Sequence, residues 1–212
     1  EKLKIFLKQT RFKFYAFYRS ANKFHVGIFS KHPLRQAADI SVGVGMAKPK
    51  VTLQFAKQSF SVVVAHLSHI DEDTRLKEVD IILRHVRMKE PTIIMGDFNS
   101  LSPLDEYDDV KVLKDMRNAG IEKFGSKNLR KEVIQKIMNA GFTDAVREHS
   151  KKFEYSVPTK YCKDNNHFTK LRLDYLFITG QLLPNLRNAR ILRTTETNQL
   201  SDHFPVLAEF TF

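Results

Sequence analysis

The chain of 212 residues has one cysteine, no tryptophan and no long hydrophobic run. A lone thiol, Cys162, excludes an internal disulfide framework and any zinc site built on several cysteines, and it suits a reducing, intracellular and cytoplasmic setting. No apolar stretch approaches the ~18 residues that a membrane-spanning helix needs. A Gly-rich nucleotide loop, a nucleophile elbow and an H-E-x-x-H helix are also missing. There is no repeat, low-complexity tract or Gly/Ser linker, so residues 1–212 read as one domain. Acidic residues are scarce at one end. Residues 1–50 hold eleven Lys/Arg against two acids, Glu1 and Asp39, and so carry +9 of a formal net charge of +11.

That excess favours an anionic partner: nucleic acid, a phosphorylated substrate or an acidic membrane. Basic and aromatic residues alternate in RFKFYAFYR (11–19). The pattern fits a phosphate-tracking surface with stacking rings, and equally a half-buried strand with Phe inward and Lys outward. The charge stands under either reading. With 42% apolar residues and 17 Phe, the chain is a folded globular one.

Periodicity places a helix over 2–9, strands over 13–18 and 25–30, and a β-hairpin from 51–55 and 60–65 with its turn at 56–59. A helix follows over 74–88, signalled by DEDT, then a strand in PTIIM (91–95). Residues 105–142 are polar and mostly helical, closing on Gly141; strands return at 171–179 and 204–212. Strands interspersed with helices, some paired as hairpins, point to a mixed-sheet α/β or layered sandwich fold.

Four apolar runs carry polar groups at or near their ends. PTIIMGDFNSLSP delivers Asp97 and Asn99 directly after a strand, and SVVVAHLSH does the same for His66. LRLDYLFI inserts Asp174 into an apolar strand, and QLSDHFPV sets Asp202 and His203 before the last one. Singly, such groups are commonly turn residues, caps or hydrogen-bonded core polars. A carboxylate between core side chains nevertheless needs a partner, because unpaired burial costs several kcal/mol; His203 and His66 are candidates for Asp174. As a set, the carboxylates and Asn99 offer hard oxygens suited to Mg²⁺ or Mn²⁺, and the histidines can neutralise a phosphate. Metal-assisted phosphoester hydrolysis is the economical reading.

Together, GIFSKHPL (27–34), VVVAHL (62–67), IIMGDFN (93–99), RLDYLFI (172–178) and SDHFPV (201–206) resemble the endonuclease/exonuclease/phosphatase superfamily, or DNase I-like fold. The resemblance runs from about residue 20 to the C-terminus. It implies a four-layer α/β sandwich, two mixed β-sheets flanked by helices, with the site at one end. It also implies that Asp97 orients or activates the attacking water and Asn99 holds the scissile phosphate. By the same likeness His203 stabilises developing charge with Asp174 fixing its ring, and Asp202 sits beside a Mg²⁺ or Mn²⁺ ion that Asp97 also serves. His66 would act on the phosphate or leaving group.

One departure stands out. The family opens with a strand carrying Asn and a second ending in a metal-binding Glu; neither segment is present, so the domain reads as N-terminally truncated. Glu1 is a poor substitute. Weak metal binding, impaired catalysis and self-association through exposed strand edges are expected. The AP-endonuclease branch ranks lower, because SLSPLDEY follows GDFN where that branch has Ala-His, and Trp is absent. GDFNSLSP, FEYSVPT (153–159) and RLDY resemble other hydrolase-like members. His69, Arg75 and Lys160 are further candidates, Arg75 for substrate binding, and each also reads as a surface or structural residue. The expected function is a Mg²⁺-dependent phosphodiesterase or nuclease acting on nucleic acid. The alternatives are a hydrolase for phospholipid headgroups or small phosphoesters, and a non-catalytic binding protein.

Overall fold

The structure is a computed structural model that describes residues 2–20, 24–41, 47–55, 58–162 and 169–212. In chain order the elements are α1 (Lys2–Gln9), β1 (Phe14–Tyr18), β2 (Val26–Ser30), β3 (Leu34–Asp39), β4 (Pro49–Phe55), β5 (Gln58–His66) and α2 (Glu72–Arg84). They continue with β6 (Thr92–Asp97), α3 (Asp109–Asn118), α4 (Glu132–Asn139), β7 (Thr143–Asp144), α5 (Ala145–His149), β8 (Asp174–Ile178), β9 (Leu186–Ile191), α6 (Thr197–Leu200) and β10 (Val206–Phe210).

A six-stranded mixed sheet, ordered β3-β4-β5-β6-β8-β7, forms the centre. β5 and β6 run parallel because α2 crosses between them; β4/β5 and β6/β8 are antiparallel. The period-2 alternation of β5, β6 and β8 sends side chains to two faces. Val63, Ala65, Ile94, Tyr175 and Phe177 pack with Val79 and Ile82 of α2 and Val133, Ile134 and Ile137 of α4. On the other face Val62 and Val64 meet the β1-β2 ribbon, and Leu176 and Ile178 meet the β9-β10 ribbon. Met95 packs against both clusters. Outside the first ribbon, α1 lays Phe6 against Phe29 at 5.0 Å between ring centroids. The order helix, sheet, strand ribbons, helix is the layered α/β arrangement expected, with the second strand layer present as two separate two-stranded sheets.

Several boundaries differ from the sequence reading for physical reasons. The helix expected over 74–88 spans Glu72–Arg84, because Asp71 is its N-cap, accepting from Thr74 N at 2.7 Å. The last strand but two begins at Asp174 rather than at 171, since Leu171 pairs with Val157 as an isolated bridge. β3 (LRQAAD) and β9 (LRNARI) lack clear apolar alternation and were not anticipated. Each lies at the rim of its sheet, where less of the strand is buried. Positions 56 and 57 of the expected turn, and Glu1, lie outside the described residues. Among the described residues no helix is long and apolar enough to cross a membrane.

Candidate active site

The register of three neighbouring strands sets the site. His66 ends β5 and is the partner of Asp97 at the end of β6; Asp97 is in turn the partner of Asp174, which opens β8. Partnered residues on adjacent strands project to the same face, so one row across the sheet edge carries imidazole, carboxylate, carboxylate. His66 Nε2 stands 3.4 Å from Asp97 Oδ2. The loop before β10 swings His203 over the row, with its Nδ1 2.7 Å from Asp174 Oδ2. Residues separated by more than a hundred positions thus share one cavity of about 990 Å³.

Each letter of GDFN answers a local demand. Gly96 has φ of +137°, and a Cβ there would stand 1.9 Å from Ala65 O, so only glycine lets β6 approach β5 at this point. Asp97 Oδ1 accepts from Asn99 N at 2.8 Å, an Asx turn that fixes the carboxylate. Phe98 is fully buried, edge-on to Tyr175 and Phe177. Asn99 takes the left-handed φ of +47° that Asn tolerates better than most residues. Its Nδ2 donates to Leu67 O and to Asp97 Oδ2, both at 3.1 Å. Asn99 is buried, braces Asp97 and, like it, lines the cavity.

RLDY is equally committed. Arg172 is buried against Asp105, with Nε donating to Oδ2 at 2.8 Å, and against Asp144. Leu173 is core, and Tyr175 donates its hydroxyl to Ser100 O at 2.9 Å, tying β8 to the loop after GDFN. FEYSVPT holds the same corner from outside. Ser156 Oγ accepts from Leu173 N and Asp174 N, while Ser156 O accepts from Phe204 N at 2.8 Å. One serine therefore positions both Asp174 and the segment bearing His203.

The electrostatics follow from this crowding. Burial pushes the Asp97 carboxyl up and the charge of Asp174 adds to it; His203, His66 and the Asn99 N–H pull the other way without cancelling. For His203, burial alone would lower the imidazole. The hydrogen bond and charge of Asp174, with Asp97 and Asp202 nearby, overcome that and raise it to about 9. At neutral pH His203 is a cation. Asp97, Asp174 and His203 each offer a ligand atom within 4.8 Å of the others. Of the expected metal pair, Asp97 belongs to this group and Asp202 lies on the same cavity. Asp202 lines the cavity and accepts from Ser201 Oγ at 3.1 Å.

Of its two readings, Arg75 fits the structural one. It is fully buried, with Nε and Nη2 on Glu72 Oε2, Nη1 on Ser68 O at 3.0 Å and Nη2 on Lys123 O. It clamps loops and does not line the cavity. Glu72 also accepts from Ser100 Oγ and Val133 N. Glu78 accepts from Ser68 N at 2.7 Å and pairs with buried Lys48. One face of α2 is therefore a buried charged ridge that pins the loop following His66. Lys160 is exposed and lies outside the cavity lining, whereas His69 lines it. The structure adds Lys123, whose Nζ donates to Asn99 Oδ1 at 3.3 Å, and Phe24, Ile70 and Ile121 on the cavity wall.

The model of the Endonuclease/Exonuclease/phosphatase family matches residues 5–203. The chain belongs to this family. Phosphoester hydrolysis is the family's chemistry, and the matched residues include the row described above. Solved structures agree on the fold. An AP endonuclease from Archaeoglobus fulgidus superposes with a TM-score of 0.66 at 14% identity, covering 93% of this chain and 79% of the other. The 3' phosphatase NExo from Neisseria, bound to a product DNA hairpin, gives 0.66 at 16% identity over 93% and 80%. The human Nocturnin catalytic domain gives 0.65 at 16% identity over 100% and 76%. No curated protein matches the chain by sequence.

Proposed function

We propose that this member of the family is a divalent-metal-dependent phosphodiesterase whose substrate is nucleic acid. The observation that carries the reading is the row His66–Asp97–Asp174 capped by a cationic His203 in one solvent-reached hollow. Asp97, raised by burial and by Asp174, is suited to orient a water and take its proton. His203 meets negative charge developing on the phosphate, and Asp174 fixes its ring and favours its charged form. His66, on the other side of Asp97, is placed to contact the phosphate or protonate the leaving oxygen. Lys123 adds a second cation at Asn99.

The group of Asp97, Asp174 and His203, with Asp202 on the same cavity, is rich in hard carboxylate oxygens, so these residues fit a Mg²⁺ or Mn²⁺ ion held by the carboxylates. Bound there, the ion would supply positive charge to the phosphate oxygens. Nucleic acid is favoured by the charge of +11 and by a cavity far larger than one phosphate. The neighbouring fold of NExo is one that holds DNA.

The test is cleavage of an end-labelled single-stranded oligonucleotide, with a phosphomonoester and sphingomyelin in parallel. Shortened DNA products with Mg²⁺ and none with EDTA are expected. Turnover of the monoester or lipid alone would move the assignment to small phosphoesters or headgroups. Absence of turnover on all three would leave a binding protein.

A further inference from the structure

The lining of the cavity is chemically mixed: the row of acids and imidazoles shares it with Phe24, Ile70 and Ile121. Phe24 is 49% exposed and Ile70 is 64% exposed. Scattered exposed apolar residues are ordinary on a protein surface, but a cluster at the mouth of a charged hollow marks a binding surface. The Phe24 ring lies edge-to-face with the His66 ring at 5.4 Å and tilted to the His69 ring at 6.2 Å. An aromatic shelf therefore starts one ring away from an imidazole that is itself 3.4 Å from Asp97.

We propose that Phe24, with His69 and Ile70, forms a subsite for the nucleobase next to the phosphate bound at the acidic row. This rests on the nucleic-acid reading above and deepens it to unpaired nucleotides. A base can lie on the shelf only when its face is withdrawn from its neighbours, as in a single strand, a frayed end or an extruded nucleotide. The contacts suit it, since the Phe24 ring packs on His66, the neighbour of Asp97, and so puts a planar apolar group beside a phosphate held at the row. Lys123, beside Asn99, gives a continuing backbone a further positive contact. A lipid is disfavoured by the same lining. An acyl chain needs a continuous apolar trough, and among the described residues the lining offers three apolar side chains set among polar neighbours.

The test compares two labelled oligomers of equal length and charge, an oligothymidylate and its abasic tetrahydrofuran counterpart, by fluorescence anisotropy in EDTA. The chain should bind the oligothymidylate about tenfold more tightly, since one stacked base contributes on that scale. Phe24→Ala should remove that difference, and Phe24→Trp should restore it. An oligothymidylate annealed to oligoadenylate should bind more weakly than the single strand. Equal affinity for both oligomers, discrimination that survives Phe24→Ala, or no binding of either oligomer would overturn the subsite. So would displacement of the oligomer by phosphatidylserine vesicles that depends on Phe24, which would assign the shelf to a lipid. The readout needs no turnover, so an inactive chain with Phe24-dependent discrimination would overturn the hydrolase reading and leave the subsite standing.

Discussion

At the scale of single residues, the site is a balance between two groups shifted in the same direction for opposite reasons. Burial and a neighbouring carboxylate raise Asp97, and carboxylates overcoming burial raise His203. The second shift has a consequence for stability. An unfolded imidazole titrates near 6.5 and His203 near 9, so between those values the folded chain keeps a proton that the unfolded chain has lost. The stabilisation is complete below about pH 6.5 and is lost as pH rises through about 9. Urea midpoints measured across that window should fall with rising pH, and Asp174→Asn should flatten the fall. A wild-type midpoint constant over the window would contradict the His203–Asp174 pairing. GDFN, RLDY and SDH were legible because strand-end chemistry is local: glycine for close approach, Asx turns, a carboxylate needing a partner. Asn99 was only half legible. Its position was clear, but that its amide would be spent on Leu67 O and Asp97 depends on a neighbouring strand.

At the scale of elements, α2 does more than cross between parallel strands. Glu72, Arg75 and Glu78 lie on one face at helical spacing, all buried. Through Ser68, Ser100 and Lys123 they fix three loops bordering the cavity. In sequence this ridge carries no signal of burial, and Arg75 reads both as a candidate for substrate and as a structural residue. Burial is decided by what packs on the helix, and no local pattern carries that information. Arg75→Met should destabilise by about 3–5 kcal/mol, because Glu72 is left as an uncompensated buried charge. The double variant with Glu72→Gln should recover part of the loss in chemical denaturation. A single variant as stable as wild type would show that the clamp is not needed.

At the scale of the whole molecule, the layered order was legible from periodicity, and the two ribbons were not. β3 and β9 are short on apolar alternation, and whether strands merge into one sheet depends on long-range pairing. Lys123 and Phe24 reach the cavity from loops distant in sequence, which only the assembled fold reveals. Charge is the whole-molecule property with the clearest consequence. With eleven of the basic residues in the first fifty, single-stranded DNA should release counterions as it binds. For contacts to six to eight phosphates, log affinity should fall against log salt with a slope of about −4 to −6. A slope near zero would exclude an electrostatic nucleic-acid surface.

The central claim is that His66, Asp97, Asp174 and His203 form one hydrolytic centre. Asp97→Asn tests it most directly, because that amide keeps the shape and the Asx-turn acceptor while removing the charge and the base. With melting behaviour close to wild type, kcat/KM for a phosphodiester should fall by about 10²–10⁴. A rate near that of wild type would contradict the claim.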